Sequence, residues 1–451
     1  MGEEKIVFIG GGAAGATAAL EMRKLMREAE ITVLESGPHP QYSCCALPFV
    51  LGGEIGSYEG IIVFEEEFYR KLGKIDLLLN ETISKIDRQG RKVHSQSGVY
   101  EYDKLVIATG SYAFVPPING IEKIQLGNRV FTYKFMPEAK ELDALIQDSG
   151  SCLVVGAGLV GLEVADALSR RGVKVTVVEL LPTVIHVMLD EDMAKLVIED
   201  LEGLGIELFL GTKVQRIEEL VDKVRLLTSK GDFEADACVI ASGVRAETSL
   251  AKDAGLEVDR GIIVDSHMRT SDPDIYACGD CVETLSAISG KRVLDQLGSS
   301  AVRQARVVAA NLSGEAVELK PTLSTSITHI GGLVVAAVGI NKKMAMDLGF
   351  DVLTARFKGS SLPEYYPGGK DMVIKLIFTP EKKILGGQIV GSEGVLARID
   401  TLSAVMQCGG DLDTLHYMET AYTPPISPTI DPLSLVAGVA LKKCEKSKKK
   451  R

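Results

Sequence analysis

The segment Lys5-Ile-Val-Phe-Ile-Gly-Gly-Gly-Ala-Ala-Gly15 places a short apolar run directly before a glycine-rich turn. Helix-forming residues follow over Ala16–Arg27, and a second apolar run, Ile31–Glu35, ends in an acid. This order predicts a strand, a tight turn, a helix and a parallel second strand. Such a unit binds dinucleotides when its glycines are correctly spaced.

The glycines of this first turn have separate roles. Gly10 permits the tight turn, Gly12 lets the backbone approach a pyrophosphate, and Gly15 lets the helix pack against the strand. The helix N-terminus offers N–H groups to phosphates, and an acid after the second strand can accept hydrogen bonds from a ribose. The residues predicted to bind the first dinucleotide are Gly10, Gly12, Ala13, Ala14, Gly15 and Glu35.

The same pattern recurs after the apolar run Cys152–Val155, with a helix predicted over Leu162–Arg171 and a strand over Val173–Glu179. One such turn is weak evidence, but two in correct context indicate two dinucleotide-binding domains. The acid Glu179 repels a 2′-phosphate and favours NADH, with NADPH left open. The second predicted set is Gly156, Gly158, Leu159, Val160, Gly161, Glu163 and Glu179.

Two similar segments, Leu105–Gly110 and Val239–Gly243, predict the closing strands of these domains, with Ala108, Thr109, Gly110 and Gly243 at the ligand edge. Short alternating strands and a helix begin near Pro321. The fold class is therefore α/β, with two Rossmann-like domains and a C-terminal α+β domain. The predicted boundaries are 1–115 and 245–320 for a discontinuous first domain, 116–244 for the second, and 321–451 for the third.

Two further signals point to the ligand of the first domain. A strand ends at Gly279-Asp280, where the carboxylate can bind a cofactor polyol. The residues Ser299, Ser300 and Ala301 open a helix whose N-terminus can stabilise negative charge on a flavin ring. No metal site is predicted, because Cys278 and Cys281 have no second pair to complete a ligand set.

The segment Tyr42-Ser-Cys-Cys-Ala-Leu-Pro-Phe49 follows the first ribose-binding acid, so Ser43 and the cysteines are expected near a flavin. Pro48 suits the first turn of a helix, and a cysteine at such an N-terminus is expected to have a lowered pKa. The adjacent Cys44 allows a vicinal disulfide or a second, resolving thiol; two buried structural cysteines are the alternative.

Composition excludes several classes of function. The 451 residues carry 50 Lys and Arg against 61 Asp and Glu, a net charge of −11, which argues against nucleic-acid binding. Irregularly spaced cysteines without a secretory signal indicate a reducing cytoplasm, and no membrane segment is predicted. The basic stretch Lys442–Arg451 is expected to be a solvated, frayed terminus.

Three further features complete the set of motifs: Glu163 after the second turn and the late segments Tyr365–Gly368 and Ala421–Pro425. In this order the motifs resemble the single-cysteine branch of the flavoprotein disulfide reductases. This branch includes coenzyme A disulfide reductases, NAD(P)H-dependent persulfide and sulfur reductases, and NADH oxidases and peroxidases. The two-cysteine C-x-x-x-x-C motif and the C-terminal His/Glu pair of glutathione reductases are absent from the sequence.

The resemblance implies FAD in the first domain, NAD(P)H in the second, and electron flow through the flavin to one cysteine. Cys45 matches that cysteine because it directly precedes Ala-Leu-Pro. The family is a homodimer, with a tetramer left open, and the partner contributes tyrosines over the cysteine. Here these are Tyr422 and one of Tyr365 or Tyr366, where a phenol can protonate a leaving thiolate.

The resemblance also implies contacts to a small-molecule thiol, disulfide or persulfide substrate, with coenzyme A as its carrier. The expected contacts are Thr17, Glu21, Lys24, Gln41, Lys71 and Lys74. The chain departs from coenzyme A disulfide reductases at Gln41, Cys44 and Ile430, where that branch has Ser, Asn and Lys.

The leading hypothesis is reduction of such a disulfide or persulfide at the expense of NAD(P)H. An NADH oxidase that reduces O2 is the alternative within the family, although the peroxidase and oxidase branch usually has a histidine where this chain has Ala13. The alternative from another class is a flavin-bearing redox sensor or interaction protein that docks through its basic tail.

Overall fold

The computed structural model describes residues 4–146 and 150–449. Its first sheet is parallel, with Val7 paired to Thr32 on one side and to Leu105 on the other. In spatial order the strands are Ile275–Ala277, Lys104–Ile107, Lys5–Ile9, Glu30–Leu34 and Asp76–Leu78. The strand Ile275–Ala277 completes this sheet from far along the chain, and it leads directly to Gly279 and Asp280.

Two helices, Ala13–Leu25 and Gly298–Leu312, pack against each other on this sheet. The first helix begins three residues earlier than predicted, because Ala13 and Ala14 of the glycine turn are already helical. Gly15 explains the close packing: a Cβ there would lie 1.9 Å from the carbonyl oxygen of Gly10. The role predicted for Gly15 is therefore confirmed.

The second parallel sheet repeats this arrangement. Its strands, in spatial order, are Glu207–Phe209, Lys174–Val178, Ser151–Val155, Ala237–Ile240 and Val130–Phe131. The helix Leu159–Arg170 follows its glycine turn, and a Cβ at Gly161 would lie 2.1 Å from the oxygen of Gly156. The helices Met136–Ile146 and Glu191–Gly203 belong to the same region.

Small antiparallel sheets and short helices flank the two parallel sheets. The three-stranded sheets are Ile83–Asp87, Lys92–Ser95 and Val99–Glu101; Val214–Glu219, Val224–Thr228 and Gly231–Ala235; and Ile262–Ile263, Val282–Leu285 and Arg292–Leu294. A two-stranded ribbon pairs Ser111–Ala113 with Val244–Ala246, where the chain passes between the two large sheets. Short helices are Leu47–Leu51, Glu66–Lys71 and Ser249–Asp253, and single 3₁₀ turns are Cys44–Ala46, Glu59–Ile61 and Ile121–Lys123.

The C-terminal region is an antiparallel sheet covered by helices. Its strands, in spatial order, are Ser326–Ile330, Leu333–Gly339, Ile384–Gly391, Asp371–Phe378 and Leu353–Ser360. The helices are Lys342–Asp347, Val395–Gln407, Leu412–His416 and Pro432–Lys448. Lys375 is buried in this sheet and pairs with Asp190, 2.9 Å away, at the start of the helix Glu191–Gly203.

The expectation of a frayed basic terminus is wrong for residues 442–448, which continue the helix Pro432–Lys448. Cys444 is buried against the sheet, and the Lys443 ammonium donates to the carbonyl oxygen of Thr354 at 2.7 Å. The last two residues of the basic stretch lie outside the described residues. None of the described helices is both long enough and apolar enough to cross a membrane.

Candidate active site

A cleft of about 2200 Å³ runs between the two parallel sheets and reaches the C-terminal sheet. Both glycine turns line it, together with Cys44 and Cys45. The predicted cofactor residues on its wall are Gly10, Gly12, Ala13, Ala14, Glu35, Ser43, Ala108, Thr109, Gly110, Gly156, Gly158, Leu159, Val160, Glu163, Glu179, Gly243, Gly279, Asp280, Ser299 and Ala301.

Three of the predicted cofactor residues do not line the cleft. Gly15 and Gly161 lie beneath their turns, where they allow helix and strand to touch. Ser300 is buried, and its hydroxyl donates to the carboxylate of Asp295 at 2.5 Å. The helix Gly298–Leu312 therefore presents Ser299 and Ala301 to the cleft and turns Ser300 inward.

Each predicted ribose-binding acid also fixes the shape of its own turn. The Glu35 carboxylate accepts hydrogen bonds from the N–H groups of Gly11 and Gly37, both at 2.7 Å. Glu179 accepts from Ala157 and Leu181 in the same way, also at 2.7 Å. The two turns are thus built alike, with one carboxylate held by backbone on both sides.

The residues of both turns fit the phosphates of a dinucleotide. The helices that follow the turns have Gly12 and Gly158 as N-caps, and neither N-cap makes a side-chain capping bond. A Cβ at either glycine would meet no protein atom within 4 Å, so this backbone is open to the cleft. Uncapped N–H groups at a helix N-terminus attract anionic phosphate.

The cysteines stand on a single 3₁₀ turn, Cys44–Ala46, that runs into the helix Leu47–Leu51 with Pro48 in its first turn. Both residues are exposed to the cleft. Protein nevertheless surrounds the cleft closely enough that burial raises the pKa of both thiols. The expectation of a lowered cysteine pKa is wrong in this chain, because desolvation outweighs the charges that favour the thiolate.

Lys134, Ser111 and Tyr42 are site residues that the sequence reasoning missed. The Lys134 ammonium lies 3.3 Å from the Asp280 carboxylate and lowers the pKa of both cysteines against the effect of burial. The Ser111 hydroxyl donates to the same carboxylate at 2.7 Å. Lys134 stands in a connecting segment whose local sequence has no recognisable spacing. Ser111 directly follows the predicted segment Leu105–Gly110, and Tyr42 stands in the quoted cysteine segment.

Glu163 also lines the cleft and acts electrostatically on Cys45. Burial raises the pKa of Glu163, and its carboxyl accepts a hydrogen bond from the Thr328 hydroxyl at 2.5 Å. Glu163 in turn raises the pKa of Cys45. Lys134 therefore lowers the pKa of both thiols, whereas Glu163 raises the pKa of Cys45.

Comparison with known proteins decides the family. The pyridine nucleotide-disulphide oxidoreductase model matches residues 4–309, and the dimerisation domain of that family matches residues 325–433. This chain belongs to the pyridine nucleotide-disulphide oxidoreductase family. It is accordingly a flavin-dependent NAD(P)H oxidoreductase, and the dimerisation domain supports a homodimer.

Relatives of the family are similar over nearly their full length. An NADH oxidase of Methanocaldococcus jannaschii is 37% identical, covering 97% of this chain and 99% of the relative. An NAD(P)H coenzyme A polysulfide/persulfide reductase of Pyrococcus horikoshii is 31% identical, over 97% and 99%. The structure of a NAD-dependent persulfide reductase from A. fulgidus superposes with a TM-score of 0.94 at 35% identity, covering 98% of this chain and 84% of that chain.

The predicted family tyrosines do not line the cleft of their own chain. Tyr365, Tyr366 and Tyr422 are exposed on the dimerisation domain. The hydroxyls of Tyr365 and Tyr422 share a hydrogen bond, which lowers the pKa of Tyr422 and raises that of Tyr365. Their contact with a partner subunit's cleft stays a prediction.

The predicted substrate contacts fall into two groups. Gln41 lines the cleft and accepts a hydrogen bond from the Tyr69 hydroxyl at 3.3 Å. The other five do not line it: Thr17, Glu21, Lys24, Lys71 and Lys74. In the described part of the chain, no group of three or more His, Cys, Asp or Glu side chains is arranged to hold a metal ion.

Proposed function

We propose that the chain reduces a low-molecular-weight disulfide or persulfide carried on coenzyme A, with electrons from NAD(P)H and a preference for NADH. The observation that carries the proposal is that Cys45 opens onto the same cleft as both glycine turns. A nucleotide at each turn and a sulfur substrate at Cys45 would then meet in one space. The relatives named as persulfide reductases support this substrate class.

Cys45 is the proposed nucleophile. Its thiolate attacks the S–S bond of the substrate, one thiol leaves, and the remaining half stays on Cys45 as a mixed disulfide. The Lys134 ammonium favours the thiolate before the attack. Glu163, whose pKa burial raises, is the proposed proton donor for the departing thiolate. When bound, the flavin supplies the two electrons, taken from NAD(P)H, that free the second thiol.

Replacement of the nucleophile tests this assignment. Cys45→Ser is expected to bind flavin and to allow its reduction by NADH, but to lose turnover of coenzyme A disulfide and persulfide under anaerobic conditions. Flavin content is read from absorbance and turnover from NADH oxidation. The matched control is Cys408→Ser, because Cys408 is exposed but outside the cleft. Full turnover by Cys45→Ser overturns the proposal.

A basic ridge formed by Lys24, Lys71 and Lys74 is the proposed site for the phosphates of coenzyme A. Arg23 joins its parts, because its guanidinium donates to the carbonyl oxygens of Gly73 at 2.9 Å and Lys74 at 2.7 Å. The ridge lysines are exposed, and the ion pair of Lys24 with Glu21, 2.8 Å apart, lies at the surface. Exposed pairs of this kind are weak, so a phosphate can replace the carboxylate.

Lys24→Gln and Lys71→Gln are therefore expected to raise KM for coenzyme A disulfide without changing kcat, and to leave KM for cystine unchanged. Lys343→Gln is the control, because Lys343 forms a comparable surface pair with Asp347 on the dimerisation domain. An equal rise in KM for cystine would contradict recognition of coenzyme A at this ridge.

NADH oxidase activity is the second candidate function, favoured by the 37% identical relative of that name. The two functions separate when NADH oxidation is measured with and without oxygen, against coenzyme A disulfide, persulfide and polysulfide. Oxygen uptake equivalent to NADH consumption, with no stimulation by any sulfur acceptor, supports the oxidase.

A further inference from the structure

The cleft contains two adjacent thiols where the proposed function uses one. Of the eight cysteines, all within the described ranges, only Cys44 and Cys45 line the cleft. Five others are buried, and Cys408 is exposed at the end of the helix Val395–Gln407. Cys44 and Cys45 share one 3₁₀ turn, and their thiols interact electrostatically.

Cys44 has polar partners of its own. The Tyr42 hydroxyl oxygen accepts a hydrogen bond from the Met136 N–H at 3.0 Å, which leaves the hydroxyl proton free for a second bond. Burial raises the pKa of Tyr42 above its usual range, and Tyr42 lowers the pKa of Cys44 against the effect of burial. The Lys134 ammonium acts on the same sulfur. A hydroxyl donor and a cation are the groups that stabilise a thiolate.

We propose, resting on the function proposed above, that Cys44 is a second redox thiol that resolves the mixed disulfide formed on Cys45. The Cys44 thiolate attacks the Sγ atom of Cys45, the bond from Cys45 to the substrate sulfur breaks, and the substrate half leaves as a thiolate. A Cys44–Cys45 disulfide forms. The hydride equivalent of NAD(P)H, two electrons and one proton, together with one proton from solvent, then returns it to two thiols.

Adjacency makes this bond easy to reduce again. Consecutive Cα atoms across a trans peptide are about 3.8 Å apart, below the roughly 4.4–6.8 Å usual for disulfides. The structure has no cis peptide bond among its described residues. A bond closed between these neighbours is therefore strained, and strained disulfides are the readily reduced ones.

The test uses flavin-loaded protein, reduced with dithiothreitol, freed of reductant and kept anaerobic. One equivalent of coenzyme A disulfide, or in parallel an aromatic disulfide reagent, is added without NADH. The reaction is quenched, free thiols are alkylated with iodoacetamide, and the peptide carrying both cysteines is analysed by mass spectrometry. In the wild-type protein we expect that peptide to carry neither an adduct nor an alkyl group. Its mass should be lower by two hydrogen atoms than that of the same peptide with two free thiols.

Two variants complete the experiment. Cys44→Ser is expected to retain the substrate half on Cys45, whereas Cys408→Ser is expected to behave as the unmodified chain. If the wild-type protein instead shows the substrate half on Cys45 and an alkylated Cys44, this inference is overturned and the proposed function is left intact. If neither disulfide modifies Cys45 in any of the three proteins, both this inference and the proposed function are overturned. The unmodified chain decides the question even if Cys44→Ser does not fold.

Discussion

Two glycines of the first turn, three residues apart, are expected to fail in opposite ways when changed to alanine. In Gly15→Ala the new Cβ would lie 1.9 Å from the carbonyl oxygen of Gly10, more than 1 Å inside the 3.0 Å limit that real Cβ atoms respect. Backbone forms the obstacle, so the helix Ala13–Leu25 must move. In Gly12→Ala the Cβ meets no protein atom within 4 Å and instead enters the cleft.

The cost of Gly15→Ala is an over-packing cost of about 3 kcal/mol, the upper part of the usual range. For a domain of this size that lowers Tm by roughly 6–12 °C. Gly12→Ala is expected to leave the Tm of the flavin-free protein within roughly 2 °C, because an exposed change of this kind costs about 0.5 kcal/mol or less. Its flavin content should fall, because the methyl group occupies the space where the pyrophosphate would approach.

Thermal unfolding of flavin-free protein, followed by circular dichroism, and flavin absorbance after reconstitution separate the two effects. Gly158→Ala and Gly161→Ala form the matched pair in the second turn, where a Cβ at Gly161 would lie 2.1 Å from the Gly156 oxygen. A normal Tm in Gly15→Ala, or a loss of stability in Gly12→Ala as large as that in Gly15→Ala, would contradict these expectations.

Three further changes test other parts of the structure. Glu163→Gln removes a carboxyl that raises the pKa of Cys45, so it should lower that pKa and speed alkylation of Cys45 at pH 7–8. Lys134→Met should raise the pKa of both Cys44 and Cys45 and slow the alkylation of both cysteines. Rates mapped by mass spectrometry across pH check this, and equal shifts of both cysteines in Glu163→Gln would contradict it. Lys375→Met removes the buried ammonium that pairs with Asp190 and Asp192 and should cost about 3–5 kcal/mol, measured by urea unfolding against the exposed control Lys343→Met. Because Tyr365 and Tyr422 share one hydrogen bond, the Phe variants should each slow disulfide turnover, with the double variant little worse than either single one; additive losses would argue for separate roles.

Local sequence predicted the parts of the fold in which neighbouring residues determine the conformation. The strands Lys5–Ile9 and Ser151–Val155 lie within one residue of their predicted positions, since an apolar run before a glycine turn has few alternatives. The expectation of a solvated terminus over Lys442–Arg451 rests on its lysines alone, although Leu433, Val436, Ala437, Ala440 and Cys444 form one buried face at helical spacing in the helix Pro432–Lys448. That spacing was readable in the sequence.

Within the site, motif residues were predictable and their partners were not. Ser299 and Ser300 differ by about 100° around a helix, so only the position of that helix decides which one reaches the cleft. The pKa of Cys45 depends on Glu163 and Lys134, which lie 118 and 89 residues away along the chain. Long-range contacts of this kind leave no local pattern.

The carboxylates of Glu35 and Glu179 each hold their turn by two backbone N–H groups before any nucleotide arrives. The entropic cost of shaping both loops is thus met once, during folding, and does not recur with each arriving nucleotide. In the proposed function NADH exchanges in every catalytic cycle while a flavin stays bound, yet the two loops are held by backbone N–H groups in the same way. If the proposed function holds, we expect the two nucleotides to differ in residence time through contacts outside these phosphate-binding loops.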